Sequence, residues 1–151
     1  MKRLLAAAFF AATLAQGAAL PYDEAADAHA QVAQAVSAAG QDHRPVLVVF
    51  GANWCPDCRA LDMAMKDGRN AELIGREFRV VKVDVGRFDR NVDVAERYGV
   101  PLKKGIPAVA IVAPDGHALY ATKAGELADA RGMSEDGLYR FFREAADRTR
   151  R

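Results

Sequence analysis

The two cysteines of the chain, Cys55 and Cys58, are separated by Pro56 and Asp57. Thiol chemistry at this spacing requires ionisation, because the thiolate is both the nucleophile and the metal ligand. A helix starting here would supply it, since unpaired backbone N–H groups and the positive end of the dipole lower a thiol pKa. Cys58 then lies about one turn further on the same face, where it can attack a mixed disulfide formed at Cys55. A structural disulfide would close too short a loop to constrain the unfolded chain much. Structural zinc normally takes four ligands, and the chain has no second cysteine pair. Two soft thiolates do suit Cu(I), so metal handling stays open beside redox exchange.

The elements around the pair favour exchange. Pro45 to Phe50 is a β-branched, apolar run, read as a central strand covered on both faces by helices. It breaks at Gly51-Ala52-Asn53, and Trp54, the cysteines and a helix to about Lys66 follow. Strand, short loop, Cys-x-x-Cys, helix is the order in which this motif reads as redox-active. Pro56 fits the first helical turn through its fixed φ alone.

Before this unit, residues 22–39 read as an Ala-rich helix with Val32 and Val36 one turn apart, an acidic start at Asp23-Glu24 and a stop at Gly40. After it, Asn70 is expected to cap a short helix ending at Glu77. Residues 78–85 form a strand parallel to the first, because helices connect the two. A helix over 91–98 closes at Gly99, and a loop over 100–105 leads to Ile106-Pro107. A strand over 108–113, a turn at Pro114-Asp115-Gly116-His117 and an antiparallel strand over 118–122 follow. Residues 123–133 are irregular, and Ser134 caps a last helix that turns Leu138, Phe141 and Phe142 inward. The class is α/β, with a central mixed sheet of about four strands flanked by helices.

The 151 residues suggest one domain. A net charge of +1 with scattered basic residues gives no nucleic-acid surface. Lys2-Arg3, an apolar stretch from Leu4 to Ala15 and small residues Gly17 and Ala19 read as a secretory signal peptide cleaved near Ala19. The expected division is therefore 1–19 signal peptide and 20–151 folded domain. The apolar stretch falls short of the ~20 residues that span a bilayer, so no stable membrane insertion is expected after cleavage. The mature chain would be periplasmic or secreted. His29, His43 and His117 are far apart in sequence, and no metal site is expected from them.

Trp54-Cys55-Pro56-Asp57-Cys58 after a buried strand, Lys82 followed by Asp84, and Ile106-Pro107 opening the third strand together resemble the thioredoxin-like family, over roughly Val46 to the C-terminal helix. The resemblance implies a thioredoxin-like fold and thiol–disulfide oxidoreductase activity, with reduction favoured over oxidation. It implies a cis Pro107 against the cysteine pair, with Trp54 and Ile106 beside it in a groove for an extended substrate segment. Cys55 would attack and Cys58 resolve, with no cofactor beyond the redox-active Cys55–Cys58 disulfide. Pro56, Asp57 and Lys82 are tuning candidates. A charge on Asp57 near Cys55 would raise the thiol pKa and favour the reductant role, and Lys82 would oppose it if its ammonium reached the pair. The partners implied are a disulfide-containing protein substrate and, in a periplasm, a membrane reductant relay. A Cu(I) metallochaperone and a disulfide-introducing oxidase are the alternatives. The sequence departs from the family pattern at two places. Val49 stands where the family carries a buried Asp six residues before the first Cys, leaving Asp57 or Asp84, acting through water, as substitutes. Pro101 to Lys104 also lengthens the loop before Ile106-Pro107.

Overall fold

The structure, a computed structural model, describes residues 19–150. The signal-peptide expectation thus lies outside the described residues, apart from Ala19. Five helices and four strands run in the order α1 (Ala28–Asp42), β1 (Val46–Gly51), α2 (Pro56–Met65), α3 (Gly68–Glu77), β2 (Arg79–Asp84), α4 (Val92–Arg97), β3 (Ala108–Val112), β4 (Ala118–Ala121) and α5 (Glu135–Thr149). The strands form one sheet in the order β2-β1-β3-β4. β1 pairs parallel with β2, from Val46 opposite Arg79 to Gly51 opposite Asp84. It pairs antiparallel with β3, which pairs antiparallel with β4.

Every residue of β1 is buried, as an apolar, β-branched strand requires when both faces are covered. Alternation divides the strand between two cores. Val46, Val48 and Phe50 pack with Val32 of α1 and Val94 of α4. Leu47 and Val49 pack with Leu61 of α2, Leu73 of α3 and Phe142 of α5. Helix α2 reaches both sides, because Cys58 joins the first core while Leu61 and Met65 join the second.

Three sequence expectations are corrected. Helix α1 starts at Ala28, not Tyr22. Asp23 Oδ1 accepts from Ala25 N–H at 2.9 Å, a local turn that competes with helix, and Asp27 caps α1 by accepting from Ala30 N–H at 3.0 Å. Residues 21–26 are thereby freed to cross over the redox motif. Gly40 does not stop α1 either, since the helix continues to Asp42 and closes on His43, which is left-handed at φ 58° and donates to Ala39 O. Asn70 does not cap α3. Asp67 holds that position, and Asn70 lies inside the helix, 1% exposed, with Oδ1 unpaired. The loops over 100–105 and 123–133 each contain a 3-10 turn, at Leu102–Lys104 and Ala130–Gly132.

Candidate active site

β1 delivers the chain to Gly51, and the turn Ala52-Asn53-Trp54 sets Cys55 as N-cap of α2. Cys55 is extended at φ −81°, ψ 114°, and Pro56 takes the first turn, where its missing N–H costs nothing. Cys58 N–H donates to Cys55 Sγ at 3.1 Å, so the sulfur receives one of the helix's unpaired donors. Cys55 and Cys58 are joined as a disulfide with Cα atoms 5.2 Å apart. Their exposures differ little, at 4% for Cys55 and 0% for Cys58. Beside Cys55 lies the Ile106–Pro107 peptide, which is cis, with Ile106 O 3.7 Å from the sulfur.

Trp54, next to Cys55 in the chain, is 43% exposed. Its indole Nε1 donates to Gly86 O at 2.8 Å, Phe88 meets it edge-on at 6.2 Å between centroids, and the Arg87 guanidinium lies 5.4 Å from its ring. Phe88 is 45% exposed and left-handed at φ 65°, a conformation costly for an aromatic residue. A groove of about 560 Å³ runs on from Phe88 past Val92 and Glu96 to Leu102, Lys103 and Gly105. The extended loop before Ile106 forms its far wall.

Asp57 turns away from solvent, with 14% of its side chain exposed, and its Oδ1 accepts from Arg131 N–H at 3.0 Å and Arg131 Nε at 3.1 Å. The Arg131 backbone N–H holds the carboxyl below its usual range, burial opposes this, and the guanidinium adds to it. The negative charge between the cysteines is therefore partly balanced from a residue 74 positions away. We expect Arg131→Gln to raise the Cys55 thiol pKa by about 0.3–0.5 unit, a small shift because Arg131 is solvated. Titration of thiolate absorbance in the reduced protein checks this, and an unchanged thiol pKa would mean that the Asp57–Arg131 pair is not felt at Cys55.

Lys82 does not approach the cysteines through an ion pair. Its Nζ pairs with Asp62 Oδ1, and Lys66 Nζ meets Asp62 Oδ2 at 2.8 Å. Burial lowers the Lys82 pKa. Asp62 is 8% exposed and lies one helical turn after Cys58. Its i+4 spacing was visible in the sequence, but its partner was not. Val49, facing the same side as its register partner Lys82, is 1% exposed within the second core. Asp84 is also buried, and burial raises its pKa against the lowering effect of Gly86 N–H, which donates to Oδ2 at 3.1 Å.

Sequence reasoning missed Tyr22 and Asn53 as well. Tyr22 N–H donates to Asn53 Oδ1 at 3.0 Å, and Asn53 Nδ2 donates back to Tyr22 O at 2.8 Å and to Glu24 Oε1 at 3.0 Å. Arg59 donates to Asn53 O at 3.0 Å. No local pattern announces this clasp across 31 residues. Among the described residues no three His, Cys, Asp or Glu side chains cluster as a metal site, and no helix is long and apolar enough to cross a membrane.

A family model described as Thioredoxin-like matches residues 27–114. The chain is 53% identical to a disulphide isomerase from Xylella fastidiosa Temecula1, over 85% of this chain and 98% of that one, with a TM-score of 0.82. The C-terminal domain of Neisseria meningitidis DsbD in its reduced form shares the fold at 20% identity, covering 77% of this chain and 95% of that one with a TM-score of 0.56. A Thermus thermophilus thioredoxin does so at 20% identity, covering 75% and 82% with a TM-score of 0.54. A comparison with curated protein sequences returns no match.

Proposed function

Because this chain belongs to the Thioredoxin-like family, we propose that it is an exported thiol–disulfide oxidoreductase that reduces disulfides in protein substrates. The observation carrying this reading is Cys55 at the start of α2, its sulfur receiving the Cys58 N–H and bonded to a buried Cys58. The identity to the Xylella fastidiosa disulphide isomerase supports the same class of chemistry.

The reaction begins when the Cys55 thiolate attacks one sulfur of a substrate disulfide held between Trp54 and Ile106–Pro107. The substrate S–S bond breaks, and its other sulfur leaves as a thiolate that takes a proton from water. The Cys58 thiolate then attacks Cys55 Sγ. The Cys55–substrate bond breaks, the second substrate thiol departs, and Cys55–Cys58 is left oxidised. Two electrons have passed to the substrate, so a reductant must restore the pair, and in a periplasm we assign that to a membrane relay. Isomerisation uses the first attack and its reversal on a different sulfur, with no net electron transfer. The leader-like residues 1–19 support export.

The test is the Cys55/Cys58 reduction potential, measured by equilibration with glutathione or dithiothreitol buffers. We expect about −270 mV, the value of a reductant. A value near −120 mV would reverse the direction, since it marks a strong oxidant. Tight binding of one Cu(I) per reduced chain without disulfide turnover would replace the reading with metal handling.

A further inference from the structure

Gly51 ends the central strand without a positive φ, so its backbone does not call for glycine. Its surroundings do. A Cβ built there would lie 2.2 Å from the Tyr22 hydroxyl oxygen, 2.5 Å from Tyr22 Cζ and 3.0 Å from Cys58 Sγ. The hydroxyl and the sulfur flank the same missing methyl group. A glycine inside a strand marks such a close approach.

We propose that the Tyr22 hydroxyl donates a hydrogen bond to Cys58 sulfur in the reduced protein and holds the resolving thiolate for attack on Cys55. This rests on the oxidoreductase reading above. Cys58 is fully buried, and burial in apolar surroundings disfavours a thiolate. The charged groups around it do not help. Asp84 lies opposite Gly51 on β2 with Arg90 3.3 Å from its carboxylate, Glu24 follows two residues after Tyr22, and Asp62 is one turn along α2 in its pair with Lys82. These three carboxylates bring the sulfur no positive charge, and two of them are already engaged by cations.

Tyr22 is suited to offset that. It is 3% exposed, and its phenol is pushed well above the ordinary value by burial and then by Asp84, so it stays a donor at every working pH. Among the described residues its hydroxyl makes no hydrogen bond in the disulfide form, where the sulfurs are weak acceptors. The Asn53 clasp fixes its backbone only two residues from Cys55. In the resolving step Tyr22 keeps its proton. Cys58 loses its own to water, its sulfur bonds Cys55 Sγ, and the electron pair of the broken bond leaves with the substrate sulfur.

The experiment mixes the fully reduced protein with a bis-thionitrobenzoate disulfide and follows release of the coloured thiolate. The first release reports attack by Cys55 and the second reports resolution by Cys58. A wild-type protein giving no second release would sink the oxidoreductase reading itself. With the wild type releasing both, Tyr22→Phe is expected to leave the first phase unchanged. It slows the second about 10-fold and moves its pH midpoint up by about one unit. Gly51→Ala, whose methyl group displaces the hydroxyl, should reproduce the shift. An unaltered second phase in Tyr22→Phe across the pH range would overturn the proposal. So would a shift produced by Asp62→Asn and absent from Tyr22→Phe.

Discussion

Cys55→Ser is expected to abolish multiple-turnover disulfide exchange, with a loss of about three orders of magnitude or more, while Cys58→Ser is expected to stop the reaction after one covalent step. The asymmetry follows from what each sulfur can reach. Cys55 is the N-cap of α2, receives the Cys58 N–H and faces the Ile106 carbonyl. A serine hydroxyl there is not ionised near neutral pH and cannot form a disulfide, so no exchange begins. Cys58 is 0% exposed with its sulfur beside Gly51, out of reach of an external disulfide. Its removal leaves the first attack intact and strands the mixed disulfide, which mass spectrometry of unreduced Cys58→Ser protein detects as a covalent adduct. Trapping by Cys55→Ser in place of Cys58→Ser would exchange the two roles. Full activity in the double variant would show that the cysteines are not the functional centre.

What could be read from the sequence was local or strongly patterned. Val46 to Phe50 is apolar on both faces, a pattern that one physical situation, a central strand under helices, explains well. The turn at Pro114 to His117 likewise carried its meaning within a few residues. The pairings of polar groups around the redox motif did not. Asp57 meets Arg131, Lys82 meets Asp62 and Tyr22 meets Asn53, each through contacts that exist only after the chain has folded. The error at α1 has the same origin. Asp23-Glu24 suits a helix start by charge, yet the Asp23 side chain bonds Ala25 N–H and ends helix before it begins. The residues released from helix are those that bring the Tyr22 hydroxyl beside Gly51. Val49 was recognised as a missing carboxylate, but that a carboxylate reaches Lys82 from α2 instead required the packing of α2 on β2.

That relocated pair makes the second large prediction, Asp62→Ala, which should lower stability by about 2–3 kcal/mol. Breaking a buried pair by removing one partner costs about 3–5 kcal/mol, because the remaining charge stays buried. The expected value is lower here because Lys82 keeps 21% of its side-chain surface exposed. A cavity of about 690 Å³ lined by Asp62, Lys82, Lys66 and Arg79 also admits water. The sign of the pH dependence separates charge from packing. Burial already lowers the Lys82 pKa in the folded state, and loss of Asp62 lowers it further. Between the folded and unfolded pKa values the unfolded chain binds more protons, so stability rises with pH through that window. The deficit of Asp62→Ala should therefore shrink as the solution enters the alkaline range where Lys82 loses its proton. Denaturant unfolding at neutral and alkaline pH measures it. A constant deficit would assign the loss to packing, and a deficit below about 0.5 kcal/mol would make the pair an ordinary solvated one. Adding Lys82→Met to Asp62→Ala removes the stranded charge and should recover most of the stability at neutral pH. Recovery of stability without any change in the pH midpoint of Cys58 resolution would fix the task of this pair as holding α2 against β2, leaving the thiolate to Tyr22.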